Sequence, residues 1–210
     1  MICLAFEFSS AQRSVALARD GIVLSEAAET GGYRVTNAFG LTEKVLAEVK
    51  ILREEVEVIA VGIGPGSYTG IRAAIAIAQG WQLARGIKLL GINSVEVLAA
   101  QAQAEKLFGR VNVVVDAQRG EFYLAAWEIS ELVRQEILPL KIVAAAEVEA
   151  LKSAGEICVG PDVGKILFPN AAMVARLATA RTDFIAGENL EPIYLRETTF
   201  VKAAPLTRIY

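Results

Sequence analysis

Hydrophobic and polar positions alternate at two different spacings along the chain, and the changes of spacing predict the order of the elements. In the first half, strands are predicted over 2–8, 13–19 and 22–28, the last two joined by the hairpin signal Asp20-Gly21. Helical spacing follows over 35–52, then a strand over 56–63, a helix over 71–85, a strand over 88–92 and a helix from Asn93 or Ser94 to Ala104.

A second cycle of strands and helices begins near residue 110. Strands are predicted over 111–116, 121–129, 132–143 and 156–159, with helices over 144–152 and 173–182 and an extended polar tail. The polar stretch 101–109 is the best boundary, which gives an N-terminal subdomain over 1–105 and a C-terminal one over 106–210. The pattern predicts an α/β fold of two related subdomains, with mixed sheets flanked by helices.

Composition narrows the class of protein. The chain has 210 residues, 54% of them hydrophobic, so it has enough apolar side chains for a packed core. No apolar stretch approaches the roughly 18 residues of a membrane span, and Cys3 and Cys158 lie in apolar runs typical of buried thiols. We expect a cytoplasmic protein that does not enter a membrane. A net charge of −3 argues against a chain that binds nucleic acid without a partner.

The sequence contains no histidine. Ser-His-Asp and Cys-His catalysis are therefore excluded, as are zinc sites that use histidine. We expect no metal ligand set in this chain and no cofactor that it requires by itself. A metal such as magnesium would need carboxylates.

The segment GIGPGSYTG, residues 62–70, lies between a predicted strand and a predicted helix. Backbone amides at such a turn can hold an anion at the helix N-terminus. The candidate anion-binding or nucleotide-binding residues are Gly64, Gly66, Ser67, Thr69 and Gly70. The segment fits neither a Walker loop nor GxGxxG, so a tight strand-to-helix connection is an equally good interpretation.

Two carboxylates, Glu7 and Asp116, are predicted at the C-terminal ends of strands, where open α/β sheets hold their ligands. Together they could hold a hydrated magnesium ion beside a nucleotide. Asp116 also begins the sequence Asp-Ala-Gln-Arg-Gly, which is typical of a turn that needs no ligand. The turn is the favoured interpretation.

The helix predicted over 71–85 is apolar around most of its circumference. Ala73, Ala76, Gly80 and Ala84 lie close together on one face at about 100° per residue. A helix of this kind is covered on more than one side, and small side chains let two backbones approach closely. The second neighbour is either a partner subunit or a helix of the same chain, such as that over 35–52.

Several motifs resemble the TsaB (YeaZ) family. GPGSYTGIRAAIAIAQGWQLA at 64–84, followed by LLGINSVEVLA at 89–99, is similar to the family's most characteristic block. DAQRGEFY at 116–123 resembles DARxGEVY, and EPIYLRE at 191–197 resembles the near-terminal PxYLR. The resemblance runs in order over nearly the whole chain.

The resemblance implies an actin-like, ribonuclease-H-like fold and a role in making threonylcarbamoyladenosine at position 37 of tRNA. It implies a non-catalytic dimerisation subunit that pairs with the catalytic subunit TsaD and the ATPase TsaE, forms a homodimer when alone and meets tRNA through the complex. ATP or ADP with magnesium would then lie at the interface of the complex. The helices at 36–49 and 70–85 would form the partner surface, with contacts from Phe39, Val45, Leu46, Ala73, Ala76, Ile77, Gly80, Trp81 and Ala84.

The chain departs from the family pattern at three places. Glu7 stands where the first strand usually ends in Asp, Gly32-Tyr33-Arg34 stands where His is common, and Gln118 replaces a common Arg. Two other functions stay open. One is an actin-like ATP-binding protein or small kinase built on Glu7, Asp116 and the glycine segment. The weakest alternative is a glycoprotease-like metallopeptidase. The catalytic relative binds its metal with a histidine pair, and this chain has no histidine.

Overall fold

A computed structural model describes residues 1–30 and 37–196. The Gly32-Tyr33-Arg34 segment, the predicted helix start at Val35 or Thr36, and the last residue of the EPIYLRE motif lie outside these ranges.

The first sheet has five strands in the order β3-β2-β1-β4-β5. β1 pairs antiparallel with β2, and β2 with β3, whereas β1, β4 and β5 run parallel. The strands are β1 Ile2–Glu7, β2 Gln12–Arg19, β3 Ile22–Thr30, β4 Val58–Gly62 and β5 Lys88–Ile92. Asp20 and Gly21 both have positive φ, as a two-residue hairpin turn requires, which confirms the predicted hairpin.

The second sheet repeats this plan with the order β8-β7-β6-β9-β10. β6, β7 and β8 are antiparallel neighbours, and β6, β9 and β10 are parallel. The strands are β6 Gly109–Asp116, β7 Glu121–Ile129, β8 Arg134–Ala144, β9 Ile157–Gly160 and β10 Lys165–Ile166. The shared strand order confirms two related subdomains of the actin-like, ribonuclease-H-like type.

Within residues 1–30 and 37–196, five helices cover the two sheets. They are α1 Ala38–Val49, α2 Tyr68–Arg85, α3 Ser94–Ala104, α4 Ala145–Ser153 and α5 Ala171–Ala178. Short 3₁₀ turns occur at Arg53–Glu55 and Gly187–Asn189. Asparagine side chains cap α1, α3 and α5, and Gly86 ends α2 in the left-handed conformation, as predicted for that glycine.

Two helices pack on the sheet of the other subdomain. α1 and α2 share one face of the first sheet with Leu4 and Phe6 of β1, and α5 packs on the opposite face against Cys3 and Ala5. α3, although it follows β5, packs on the second sheet, whose other face carries α4. The predicted boundary near residue 105 therefore separates the two sheets, while α3 and α5 cross between them.

Several predicted bounds differ from the structure, and one strand was not predicted. α2 begins at Tyr68 rather than Ile71, because Ser67 caps its first turn. α5 starts at Ala171 and ends at Ala178, short of the predicted Thr182, and β10 was not predicted.

Cys3 and Cys158 are buried free thiols, and burial raises the pKa of Cys3 to about 12. Among the described residues, no helix is long and apolar enough to cross a membrane.

Gly62 offers a direct test of how closely β4 packs against β1. A Cβ at Gly62 would overlap the carboxylate of Glu7. We expect Gly62→Ala to lower the free energy of unfolding by about 1–3 kcal/mol, the usual cost of overpacking. Urea unfolding measures this cost.

The control is a double-mutant cycle with Glu7→Ala. If the clash is the cause, Gly62→Ala costs less in the Glu7→Ala background than in the wild type. Equal costs in the two backgrounds would contradict it.

Candidate functional site

The glycine segment packs tightly against the turn between β1 and β2. Ser67 donates its backbone N–H to the Ser9 carbonyl at 2.7 Å. A side chain at Gly66 would overlap this carbonyl, and one at Gly70 would overlap the carbonyl of Phe8. Both positions therefore require glycine for close approach of two backbone segments. This geometry explains these two glycines without a ligand.

Glu7 is fully buried at the centre of this junction. Its Oε1 accepts the backbone N–H of Ser9 at 2.7 Å, and its Oε2 accepts the hydroxyl of Ser94 at 2.9 Å. Ser94 in turn accepts the N–H of Gly64 at 3.2 Å and donates its own N–H to the Gly64 carbonyl at 2.8 Å. One carboxylate thus ties the end of β1 to the glycine segment and to the start of α3.

The electrostatics of Glu7 follow from this burial. Desolvation raises the pKa of Glu7 above its ordinary value, and the hydrogen bonds from Ser9 and Ser94 oppose that rise. No basic side chain in the described part of the chain contributes to the shift. The structure therefore gives Glu7 the environment of a structural carboxyl group.

A cleft of about 610 Å³ lies between the two subdomains. It is bordered by the β1–β2 turn, the start of α2, the β6–β7 turn, the loop after β9 and the segment at 193–194. Its described lining comprises Ser9, Ser10, Ala11, Gly66, Ser67, Tyr68, Thr69, Ile71, Val115, Asp116, Ala117, Gln118, Tyr123, Pro161, Asp162, Ile193 and Tyr194.

The cleft gathers some of the predicted binding residues and not others. Gly66, Ser67, Thr69 and Asp116 line it. Glu7, Gly64 and Gly70 lie outside that lining. Glu7 is fully buried, whereas Asp116 borders the cleft. Among residues 1–30 and 37–196, no group of three or more acidic or cysteine side chains is arranged to hold a metal ion.

Asp116 has the geometry of a turn residue. Its Oδ1 accepts the backbone N–H of Gln118 at 2.7 Å, and its Oδ2 accepts the Gln118 side-chain amide at 2.9 Å. Gln118, Arg119 and Gly120 all have positive φ, so the carboxylate stabilises a strained turn. The turn interpretation of Asp116 is therefore confirmed, although the side chain still borders the cleft.

Sequence reasoning missed most side chains of the cleft, among them Asp162, Tyr68 and Tyr194. Asp162 follows β9, and Asp116 is close enough to add to the effect of burial in raising the pKa of Asp162. Its position just after a predicted strand was a usable signal. Tyr68 and Tyr194 both line the cleft with ring centroids 5.8 Å apart, and no sequence pattern links residues so distant along the chain.

α2 presents a second candidate surface. Its buried side faces the first sheet through Ile71, Ala74, Ile75 and Ala78. Ala76, Gly80 and Ala84 are exposed on the opposite side, with Ala73 at its edge. Leu83, which was not predicted, lies on the same side and is 90% exposed. The predicted row of small residues is therefore open to solvent in the single chain.

α1 contributes less to that surface than expected. Phe39 is 70% exposed, but Val45 and Leu46 are buried in the core beneath α1. The prediction that these two contact a partner is wrong, because their side chains point to the chain's own sheet. Ile77 and Trp81 of α2 are half-buried and pack against the same core.

Comparison with known proteins identifies relatives over most of the chain. The family profile described as "TsaD: tRNA N6-adenosine threonylcarbamoyltransferase" matches residues 7–184. The tRNA threonylcarbamoyladenosine biosynthesis protein TsaB of Escherichia coli K12 is 28% identical, over 98% of this chain and 99% of that protein. TsaB of Bacillus subtilis 168 is 26% identical over 66% of this chain and 60% of that protein.

A solved structure shares the fold. YeaZ from Pseudomonas aeruginosa superposes with a TM-score of 0.77, at 24% identity, over 92% of this chain and 99% of that chain.

The environment of Glu7 predicts a pH dependence of stability. A raised folded-state pKa means that the folded chain binds the Glu7 proton more tightly than the unfolded chain, whose ordinary value is 4.5. The stabilising contribution is therefore complete below pH 4.5 and is lost as the pH rises through the folded-state pKa. We expect Glu7→Gln, which cannot ionise, to remove this loss in urea unfolding measured at several pH values above 4.5.

Glu131→Gln is the matched control, because Glu131 is exposed. It should keep the pH dependence of the wild type. An unchanged pH dependence in Glu7→Gln would show that this carboxyl group does not titrate with folding.

Proposed function

Because the chain belongs to the TsaB (YeaZ) group of the TsaD protein family, and so to tRNA threonylcarbamoyladenosine biosynthesis, we propose that it is a non-catalytic dimerisation subunit. It pairs with a TsaD-type catalytic subunit, and a TsaE-type ATPase joins the pair. Alone, it forms a homodimer. It works in the cytoplasm and meets tRNA through the complex.

The exposed side of α2 carries this proposal. An isolated chain gains nothing from exposing Leu83 on a helix whose other side is already packed on the sheet. Phe39 of α1 adds a second exposed apolar side chain. A contiguous exposed apolar patch is typical of a surface that a partner covers.

Gly80 supports the same conclusion. It lies inside α2, where glycine costs about 1 kcal/mol relative to alanine. No atom of the residues that the structure describes lies within 4 Å of a Cβ built at this position, so these residues leave room for a side chain. A partner's helix could pack closely against the backbone at Gly80, where there is no side chain. Such a contact would account for keeping glycine there despite its unfavourable helix propensity.

The chemistry of the chain supports a non-catalytic role. The sequence has no histidine, and Glu7 and Asp116 serve a buried junction and a turn. In this proposal the chain is a scaffold. The sheet and the Glu7 junction hold α2 rigid, and α2 orients the catalytic partner. ATP or ADP with magnesium would bind where the complex forms, with the partner supplying most of the ligands.

The alternative of an actin-like ATP-binding protein or small kinase draws its support from the cleft. Its hydroxyl groups and the start of α2 could meet a nucleotide. The carboxylates of Asp116 and Asp162 oppose a polyphosphate in the same space. The support that the cleft gives to this alternative is therefore weaker than the support that α2 gives to the subunit role. The described residues offer no support for the metallopeptidase alternative.

A large side chain at Gly80 tests the partner surface. We expect Gly80→Leu to weaken association with the TsaD-type protein of the same organism and to shift the homodimer toward monomer. A loss of at least about tenfold in affinity corresponds to about 1.4 kcal/mol. Size-exclusion chromatography with light scattering, in the presence of ATP, measures both equilibria.

Ala150→Leu is the matched control, because Ala150 is exposed on α4, which covers the second sheet. It should leave both assemblies intact. Circular dichroism checks that Gly80→Leu is folded. A folded Gly80→Leu variant that assembles like the wild type would remove α2 as the partner surface, and a wild-type chain that does not bind TsaD would remove the subunit role.

A further inference from the structure

The segment 185–196, which we call the strap, runs along the first subdomain and ends against the second. Near its start, Ile185 donates its backbone N–H to the Leu89 carbonyl of β5 at 3.0 Å. Farther along, Ile193 donates its N–H to the Ile63 carbonyl, directly after β4, at 2.9 Å. These backbone bonds attach the strap to two neighbouring strands of the first sheet.

α2 also holds the strap. Gln79 donates its side-chain amide to the Gly187 carbonyl at 2.7 Å, and Gln82 accepts the Gly187 N–H at 2.6 Å. Leu190 is buried in the core that α1 and α2 share with the first sheet. Because the strap is bonded at several points along its length, it moves together with the first subdomain.

Arg196, at the end of the strap, contacts the second subdomain. Its Nη2 donates to the Ala117 carbonyl at 3.1 Å and to the Glu121 carboxylate at 2.6 Å. Both acceptors belong to the β6–β7 connection. Ala117 and Tyr194 line the cleft, so the strap passes from one subdomain to the other at the border of the cleft.

The two subdomains are also joined where α3 meets α5. α5 packs on the first sheet, α3 packs on the second, and the two helices contact each other. Gln101 of α3 donates to the Phe168 carbonyl, in the segment before α5, at 2.9 Å. This junction lies on two apolar cores, whereas the Arg196 and Glu121 side chains are 33% and 44% exposed. Salt screens an ion pair of that exposure but does not break apolar packing, so the Arg196 contact is the weaker of the two links.

We infer that the Arg196–Glu121 ion pair is a releasable latch that sets the position of the second subdomain relative to α2. When the pair breaks, the strap stays bonded to the first subdomain, and the second subdomain turns about the α3–α5 junction. Arg196 is therefore a positioning residue. The latch does not depend on the subunit role, because all of its contacts lie within the single chain.

Distances between spin labels on the whole chain, measured by double electron–electron resonance, test the inference. Lys44→Cys on α1 and Ala150→Cys on α4 place one label on an exposed position of each subdomain. A second pair, Lys44→Cys with Glu131→Cys in the β7–β8 turn, detects a rotation that leaves the first distance unchanged. Cys3 and Cys158 are buried, so the label reacts at the introduced cysteines.

We expect Arg196→Ala to shift the mean of at least one distance by about 2 Å or more, the scale of domain rearrangements. Glu121→Gln should give the same shift, and Arg196→Lys, which keeps the charge, should restore most of the wild-type distribution. Raising NaCl from about 0.05 M to about 1 M should shift the wild type and leave Arg196→Ala unchanged.

Lys165→Ala is the matched control. It removes a similarly exposed ion pair, with Glu105, but both residues belong to elements that pack on the second sheet. Its distances should equal those of the wild type.

Three results would overturn the inference. They are wild-type distances for both label pairs in the folded latch variants, an equal response to salt in Arg196→Ala and the wild type, and the same shift in Lys165→Ala. Circular dichroism checks folding. If Arg196→Ala does not fold, Glu121→Gln decides, because it removes the acceptor charge from a side chain that is 44% exposed.

Discussion

The buried carboxylate of Glu7 joins the end of β1, the glycine segment and the start of α3. It accepts hydrogen bonds from the turn after β1 and from Ser94 at the start of α3, and Ser94 holds Gly64. Gly62 leaves room for it, and Gly66 and Gly70 let the glycine segment lie against the β1–β2 turn. The direction in which α2 leaves the sheet follows from this junction. Both the cleft at the start of α2 and the exposed side of the helix therefore depend on it.

One side of α2 packs on the chain's own sheet, and the other side faces solvent. Ile71, Ala74, Ile75 and Ala78 pack on the sheet, and Gln79 and Gln82 bind the backbone of Gly187, which fixes the chain's later segment against the helix. The remaining side keeps small residues and one large apolar residue facing solvent. Such a division suits a subunit whose rigid scaffold presents a helix to a related partner.

Much of the fold could be predicted from sequence, since spacing and caps are local properties. The Asp20-Gly21 hairpin, the Asn93 cap and the Gly86 stop depend only on neighbouring residues, and the structure confirms them. The exchange of α3 and α5 could not be predicted, because both helices are apolar enough to pack on either sheet. Nothing local in the sequence tells which sheet covers Ala171 or Val95.

The candidate site could also be predicted only where its residues are neighbours in the sequence. Gly66, Ser67 and Thr69 are adjacent in sequence, so the glycine segment was visible, whereas Asp162 and Tyr194 reach the cleft only through the tertiary fold. Val45 and Leu46 were assigned to a partner because a helical stripe does not reveal which side faces its own sheet. The role of Glu7 in a buried junction was not visible either, because its partner Ser94 is 87 residues away, and Glu7 therefore stayed a candidate ligand in the sequence.

Hydroxyl-radical footprinting of the chain, alone and mixed with the TsaD-type protein proposed as its partner, tests the central claim most directly. It measures the solvent exposure of individual side chains. The account predicts that Leu83 and Phe39 lose reactivity in the complex, while Leu132, 92% exposed in the β7–β8 turn, keeps it. Protection of Leu132 with Leu83 still reactive would contradict the assignment of α2 as the surface that binds the partner.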